Sequence, residues 1–137
     1  MQRTSSVDEH DPAGRPDRQL RFAVIGAGMS GILSAVKLTE AGLTDFTVYE
    51  KNDGLGGTWH ENTYPGLACD VPSHLYSYSF ARNPAWTRKF VEQPEILEYL
   101  ERCVDRFGLR PLLRLALNRT GVDPMMFLKK RSLLALF

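Results

Sequence analysis

The chain has 137 residues, 43% hydrophobic and 24% charged, with 17 Lys and Arg against 16 Asp and Glu. That length accommodates one domain and excludes a two-domain enzyme with two separate nucleotide folds. A net charge of +1 excludes a global field that recruits nucleic acid, and the seven Lys or Arg against two Asp over residues 105–137 most simply form a solvated face.

In chain order, residues 1–19 are rich in Asp, Arg, Ser and Pro and nearly devoid of large apolar side chains. They bury too little surface to offset ordering entropy and are expected to form a disordered leader with no signal-peptide core. Residues 20–25 form a β-branched and aromatic run ending at Gly26, the pattern of a buried strand. Over residues 29–41, Ile32, Ala35 and Val36 recur at helical spacing, Leu33 and Leu38 widen the stripe, and Gly42 supplies the stop. A second strand is predicted over 46–50, which completes a βαβ unit.

Residues 52–73 are dense in Gly, Pro, Asn and Asp, show no sustained period, and read as a long ordered loop of functional type. Residues 75–80 are predicted as a short strand or extended arm. Gln93, Pro94 and Glu95 open a helix to Phe107, with Ile96, Leu97, Leu100, Val104 and Phe107 on one face and Gly108 at its end. A strand is possible over 112–117. The expected organisation is therefore a leader over 1–19, an α/β unit over 20–117, and an atypical basic and apolar tail over 118–137.

Gly26-Ala27-Gly28-Met29-Ser30-Gly31 is a GxGxxG placed directly between a strand and a helix. The first glycine permits the tight turn, the second lets the backbone approach a pyrophosphate, and the third lets helix and strand pack closely. The helix N-terminus offers unpaired amides to that anion. Glu50 ends the second strand nineteen residues after Gly31, where its carboxylate would accept from both ribose hydroxyls of a dinucleotide and repel a 2′-phosphate. This fingerprint leaves NAD and FAD unseparated. A second glycine-rich stretch follows at Gly54-Leu55-Gly56-Gly57-Thr58-Trp59, whose adjacent glycines let backbone amides press against a flat or phosphorylated ligand, while Trp59 either covers a ring or packs in the core.

Gly56-Gly57-Thr58-Trp59, then Asn62-Thr63-Tyr64-Pro65-Gly66, Cys69-Asp70, and the run from Ser73 through His74, Leu75, Tyr76, Ser77, Tyr78 and Ser79 to Phe80 resemble class B flavin monooxygenases. The nearest likeness is to Baeyer–Villiger monooxygenases, and Phe90, Gln93-Pro94-Glu95-Ile96 and Tyr99-Leu100 extend it over residues 20–117. The resemblance implies an incomplete Rossmann-type βαβ FAD-binding fold. Gly26, Gly28, Ser30 and Gly31 would hold the FAD pyrophosphate and Glu50 the adenosine ribose. Gly56, Gly57, Thr58 and Trp59 would approach the riboflavin half, joined by Tyr76. Asp70 would stand near the flavin in a supporting catalytic role. His60 and Glu61 depart from the aromatic pair common in the family.

On spacing alone, Asp70 reads as a turn residue before Pro72. Tyr78 and Phe80 read as core aromatics, and Cys69 as a small buried hydrophobe. Cys69 and Cys103 form no CxxC pair, and His60 and His74 are isolated, so neither a disulfide nor a metal site is expected. No apolar run reaches the ~18 residues of a membrane span, and a cytoplasmic setting is expected.

The family uses NADPH as co-substrate and acts on small ketones or heteroatom compounds. Its second glycine-rich fold and its FxGxxxHxxxW fingerprint do not occur in these 137 residues. The resemblance thus implies an N-terminal FAD-binding portion, truncated and inactive alone. The alternatives are a fragment of an N- or S-oxygenating flavin monooxygenase and a non-catalytic dinucleotide-binding fragment.

Overall fold

A computed structural model describes residues 21–117 and the backbone strand at 133–136. The leader expected over 1–19 and the remainder of the tail expected over 118–137 lie outside the described residues. The elements are β1 (Arg21–Ile25), α1 (Met29–Glu40), β2 (Phe46–Tyr49), α2 (Thr58–Glu61), α3 (Gln93–Arg106), a 3₁₀ turn (Arg110–Leu112), β3 (Leu113–Arg114) and β4 (Leu133–Leu136). The strands pair in parallel in the order β3-β2-β1-β4. Phe22 stands opposite Phe46 and Ile25 opposite Tyr49, so the carboxyl ends of β1 and β2 are level and both glycine-rich turns emerge on one edge.

Strands flanked on both sides carry apolar residues on both faces. Val24 on β1 and Val48 on β2 are buried, and Ile32, Ala35 and Val36 of α1 meet them. Leu38 extends that stripe, whereas Leu33, expected to widen it, is exposed on the far side of the helix. The apolar face of α3 (Ile96, Tyr99, Leu100, Cys103 and Val104) closes the same core. Both long helices end in paired backbone bonds after a glycine: Gly42 N–H to Thr39 with Leu43 N–H to Leu38, and Gly108 N–H to Asp105 with Leu109 N–H to Val104. These satisfy carbonyls that the helix ends leave open.

Two sequence expectations need correction. Residues 75–80 are a string of turns and not a strand or extended arm. The amides of Leu75 and Tyr76 both bond back to the Pro72 carbonyl, which curls the segment. The reason is Ser73, fully buried, whose Oγ donates to the Arg88 and Lys89 carbonyls and accepts from the Val91 amide, pinning the loop to residues 88–91. The strand expected over 112–117 shrinks to Leu113–Arg114. Ala116 turns to φ 61° and donates to the Asn52 carbonyl at 2.6 Å, which ends the extended run. The described sheet has four strands, because β3 pairs on the free edge of β2 and β4 on that of β1.

Candidate dinucleotide-binding site

The turn between β1 and α1 is built by its glycines and closed by Glu50. Gly26 adopts φ +93° and donates to the Tyr49 carbonyl at 2.7 Å, so the chain leaves the sheet at once. A Cβ on Gly31 would collide with the Gly26 carbonyl oxygen, which makes the third glycine a packing requirement of helix on turn. Gly28 is different: a Cβ there would meet only the Gly57 backbone, no closer than an ordinary 3.6 Å. Gly28 lines the cleft with backbone alone.

Glu50 is 4% exposed, and both carboxylate oxygens are in use. Oε2 accepts from the Ala27 amide at 2.7 Å and Oε1 from the Asn52 amide at 2.9 Å. The carboxylate therefore braces the first glycine turn from the end of β2. Its backbone is held as well, with its amide on the Arg114 carbonyl and its carbonyl on the Leu117 amide. A carboxylate offers about four lone-pair positions, so these two bonds leave capacity for ligand hydroxyls.

The second glycine turn lies against the first. Gly56 N–H donates to the Ala27 carbonyl at 2.8 Å, and a Cβ on Gly57 would stand 3.1 Å from the Gly28 Cα. Gly57 itself is at φ +56°, the left-handed region where side chains are disfavoured. Behind the turn, a Cβ on Gly56 would touch Leu97 Cδ1 at 2.5 Å, and one on Gly54 would strike the His60 ring. His60 reaches Asp53 at 3.4 Å, and Glu61 pairs with Lys51 at 2.6 Å and Asn52 at 2.8 Å. The residues that depart from the family pair thus support the loop. The Lys51 hydrogen bond holds the Glu61 carboxyl below its ordinary range.

Between the turns opens a cleft of ≈ 300 Å³, lined by Gly26, Gly28, Ser30, Gly31, Gly56, Gly57, Thr58, Trp59 and Tyr76, with Ile25 and Met29. Ten of the eleven residues singled out from sequence meet in or directly behind it, with Glu50 as the brace. Asp70 stands apart, exposed in a bend and outside the lining. Trp59 is buried and donates from Nε1 to the Tyr76 hydroxyl at 3.0 Å, their rings edge to face at 5.7 Å. Gln93, at the start of α3, donates to the Trp59 carbonyl.

The cleft suits a dinucleotide phosphate on its own geometry. No side chain caps α1 and no acidic residue sits in its first turn, so among the described residues the amides at its N-terminus keep their anion-binding capacity. Gly28 and Gly57, packed against each other, both line the cleft with backbone alone, so a phosphate chain can approach that part of the wall without meeting a side chain. Residues 24–93 match the NAD(P)-binding Rossmann-like domain family. The chain belongs to that family.

This Rossmann-like chain is 58% identical over 95 residues to a Baeyer–Villiger monooxygenase of Streptomyces coelicolor, covering 69% of the chain and 18% of that relative. It is 44% identical over 106 residues to an FAD-binding monooxygenase of Dothistroma septosporum, covering 77% and 17%. Among solved structures it resembles cyclohexanone monooxygenase from Rhodococcus sp. Phi1 bound to NADP+, with a TM-score of 0.67, 44% identity, and coverage of 71% and 19%. The matches fall on the N-terminal portion of these proteins, and the chain spans under a fifth of their length.

Several contributors escaped sequence reasoning. The use of Glu50 as a brace on Ala27 has no pattern signal, nor does the tether of Tyr78, whose hydroxyl donates to the Met29 carbonyl at 2.7 Å. Tyr78 is buried in the core as expected, and Phe80, half-buried, packs against it, stacked on Tyr78 at 5.1 Å. Cys69 is buried in the core as expected. Among the described residues no cluster of His, Cys, Asp and Glu has the makings of a metal site, and no helix is long and apolar enough to cross a membrane.

Proposed function

We propose that these residues form the FAD-binding portion of an NADPH-dependent flavin monooxygenase of the Baeyer–Villiger type, which inserts oxygen into small ketones. The carrying observation is the cleft in which the uncapped N-terminus of α1 faces Gly57, Trp59 and Tyr76. Gly26, Gly28, Ser30 and Gly31 bind the FAD pyrophosphate through backbone amides. Glu50 accepts from the ribose hydroxyls with the lone pairs that Ala27 and Asn52 leave free. Gly56, Gly57, Thr58, Trp59 and Tyr76 bound the flavin half, the Trp59–Tyr76 bond fixing both rings. Asp70, on the exposed bend, supports that end from outside the cleft.

When bound, FAD supplies the redox chemistry. This chain's own residues bind and orient it. The ketone class is supported by the cyclohexanone monooxygenase relative. A cytosolic setting is part of this reading, supported by two buried, unpaired cysteines. The 137 residues hold no second glycine fingerprint for NADPH, and alone they bind FAD without turning over.

The test is fluorescence titration of the purified chain with FAD, beside Gly28→Val and Glu50→Ala. Gly28→Val should abolish binding while circular dichroism keeps the helix content. Glu50→Ala should cost about 1.5–3 kcal/mol of affinity. Because Glu50 also braces Ala27, Gly28→Val is the sharper variant, and flavin retained by Gly28→Val as by wild type overturns the phosphate-cradle reading. Coupled NADPH oxidation with a ketone by the isolated chain would overturn the inactive-alone reading.

A further inference from the structure

A second cleft, of ≈ 310 Å³, lies between α3 and the turn at residues 81–83, with no residue of either glycine turn in its lining. Its floor is apolar and buried: Tyr99 and Cys103 are each 3% exposed, and the Tyr99 hydroxyl donates to the Ala81 carbonyl at 3.0 Å, which locks the 81–83 turn over the helix. Its rim is cationic. Arg102 and Arg106, one helical turn apart, line it from α3, and Arg82 and Asn83 line it from the turn opposite. Burial pushes the Cys103 thiol up, and the Tyr99 hydrogen bond and the Arg106 and Arg102 charges partly offset that push.

The carboxylates that would neutralise this rim are engaged elsewhere. Glu101 and Asp105 sit beside these arginines in sequence, yet both pair with Arg110. Only Glu98 reaches in, binding Arg102 at 2.7 Å. Among the described residues no carboxylate lies within ion-pair distance of Arg82 or Arg106. The Arg106 guanidinium rests 5.5 Å above the Phe107 ring. Asn83 Oδ1 accepts from the Ala85 amide at 3.2 Å, which leaves its NH₂ group as a donor.

We propose that this cleft binds a small phosphate-bearing anion. Three guanidinium groups against one carboxylate leave a charge of +2 at the rim, matching a phosphate monoester of about −2 and attracting the more highly charged pyrophosphate. Guanidinium forks hold such oxygens through paired N–H bonds. The volume is that of a small-ligand pocket. The phosphate comes from a free metabolite or from the phosphate end of a nucleotide, and the two share this recognition. The inference stands on residues outside the FAD cleft and does not depend on FAD binding.

The experiment is a two-dimensional NMR titration of the full 137-residue chain with sodium pyrophosphate, and separately with AMP, at constant ionic strength. Pyrophosphate should cause saturable shifts at the amides of Asn83, Arg102 and Arg106. Saturation by AMP at the same amides assigns the nucleotide source, and its failure assigns the free metabolite. Arg106→Gln and Arg82→Gln, both at exposed side chains, should each raise the dissociation constant about tenfold, whereas Arg88→Gln, outside the cleft lining and paired with Glu92, should leave it unchanged. Shifts that never saturate, that sodium chloride reproduces, or that persist unaltered in Arg106→Gln and Arg82→Gln overturn the proposal. So does hexaglutamate saturating these amides at lower concentration than pyrophosphate, which would make the cleft a peptide-docking surface.

Discussion

The two glycine-rich turns that face each other across the candidate cleft are held in different ways. The first, between β1 and α1, is fixed by regular structure and one buried carboxylate at the end of β2: Gly26 leaves the sheet on a hydrogen bond to β2, Gly31 lets the helix sit on the turn, and Glu50 braces Ala27. The second, from Gly54 to Gly57, has no strand before it and only the four-residue α2 after it. It is held by side chains from elsewhere, the His60 ring under Gly54 and Leu97 of α3 behind Gly56, and by the first turn itself. A turn held by the backbone tolerates change in its surroundings. A turn held by side chains depends on the whole loop and on α3 being in place.

The largest effect should come from Gly31→Ala, because the methyl group would meet backbone oxygen, which has nowhere to move. A loss of about 3 kcal/mol is expected from forcing α1 off the turn, read as a fall in the urea midpoint. Gly28→Ala, three residues away, should leave stability within about 0.5 kcal/mol while weakening dinucleotide binding. Equal midpoints for the two variants would erase the division between a packing glycine and a ligand-facing one.

Next in size is Gly57→Ala, expected to cost about 1–2 kcal/mol for the left-handed backbone, with further loss from its 3.1 Å approach to Gly28. Because this turn is held by side chains, Leu97→Ala should loosen it too, read as faster hydrogen exchange at the Gly56 amide with the Gly26 amide unchanged. Matching exchange at both amides would show that the turns form one unit.

The smallest effect at neutral pH concerns the tether between the long loop and α1. Tyr78→Phe removes the bond to the Met29 carbonyl and should cost about 1 kcal/mol. Burial pushes the Tyr78 and Tyr99 hydroxyls well above their ordinary value of 10. The unfolded chain therefore loses these protons first as pH rises, and stability that is complete below pH 10 falls above it. The decline should be about 1.4 kcal/mol per pH unit for each tyrosine. Tyr78→Phe should make that decline shallower, and an unchanged slope between pH 10 and 11.5 would remove Tyr78 from the account.

The sequence by itself determined β1, α1, β2 and α3, because each carries its signal locally: a short apolar run, or an apolar stripe at helical spacing closed by Gly42 or Gly108. It also determined the glycine turns and the placement of Glu50 at the end of β2, since strand, GxGxxG and helix are contiguous. Tertiary structure decided what depended on distant partners. Residues 75–80 alternate aromatics as a strand would, but the buried Ser73 and the Tyr78 bonds to Met29 and Tyr99 curl them into turns. Leu33 lies at the margin of a helical stripe, and only the position of the sheet says which margin is covered. The same holds for Glu50: spacing puts a carboxylate at the strand end, but only the folded turn turns it onto the Ala27 amide. Local pattern records what neighbours along the chain prefer. Hydrogen bonds and packing across 20 or more residues, such as those from Glu50 to Ala27 and from Tyr78 to Met29, leave no period to read.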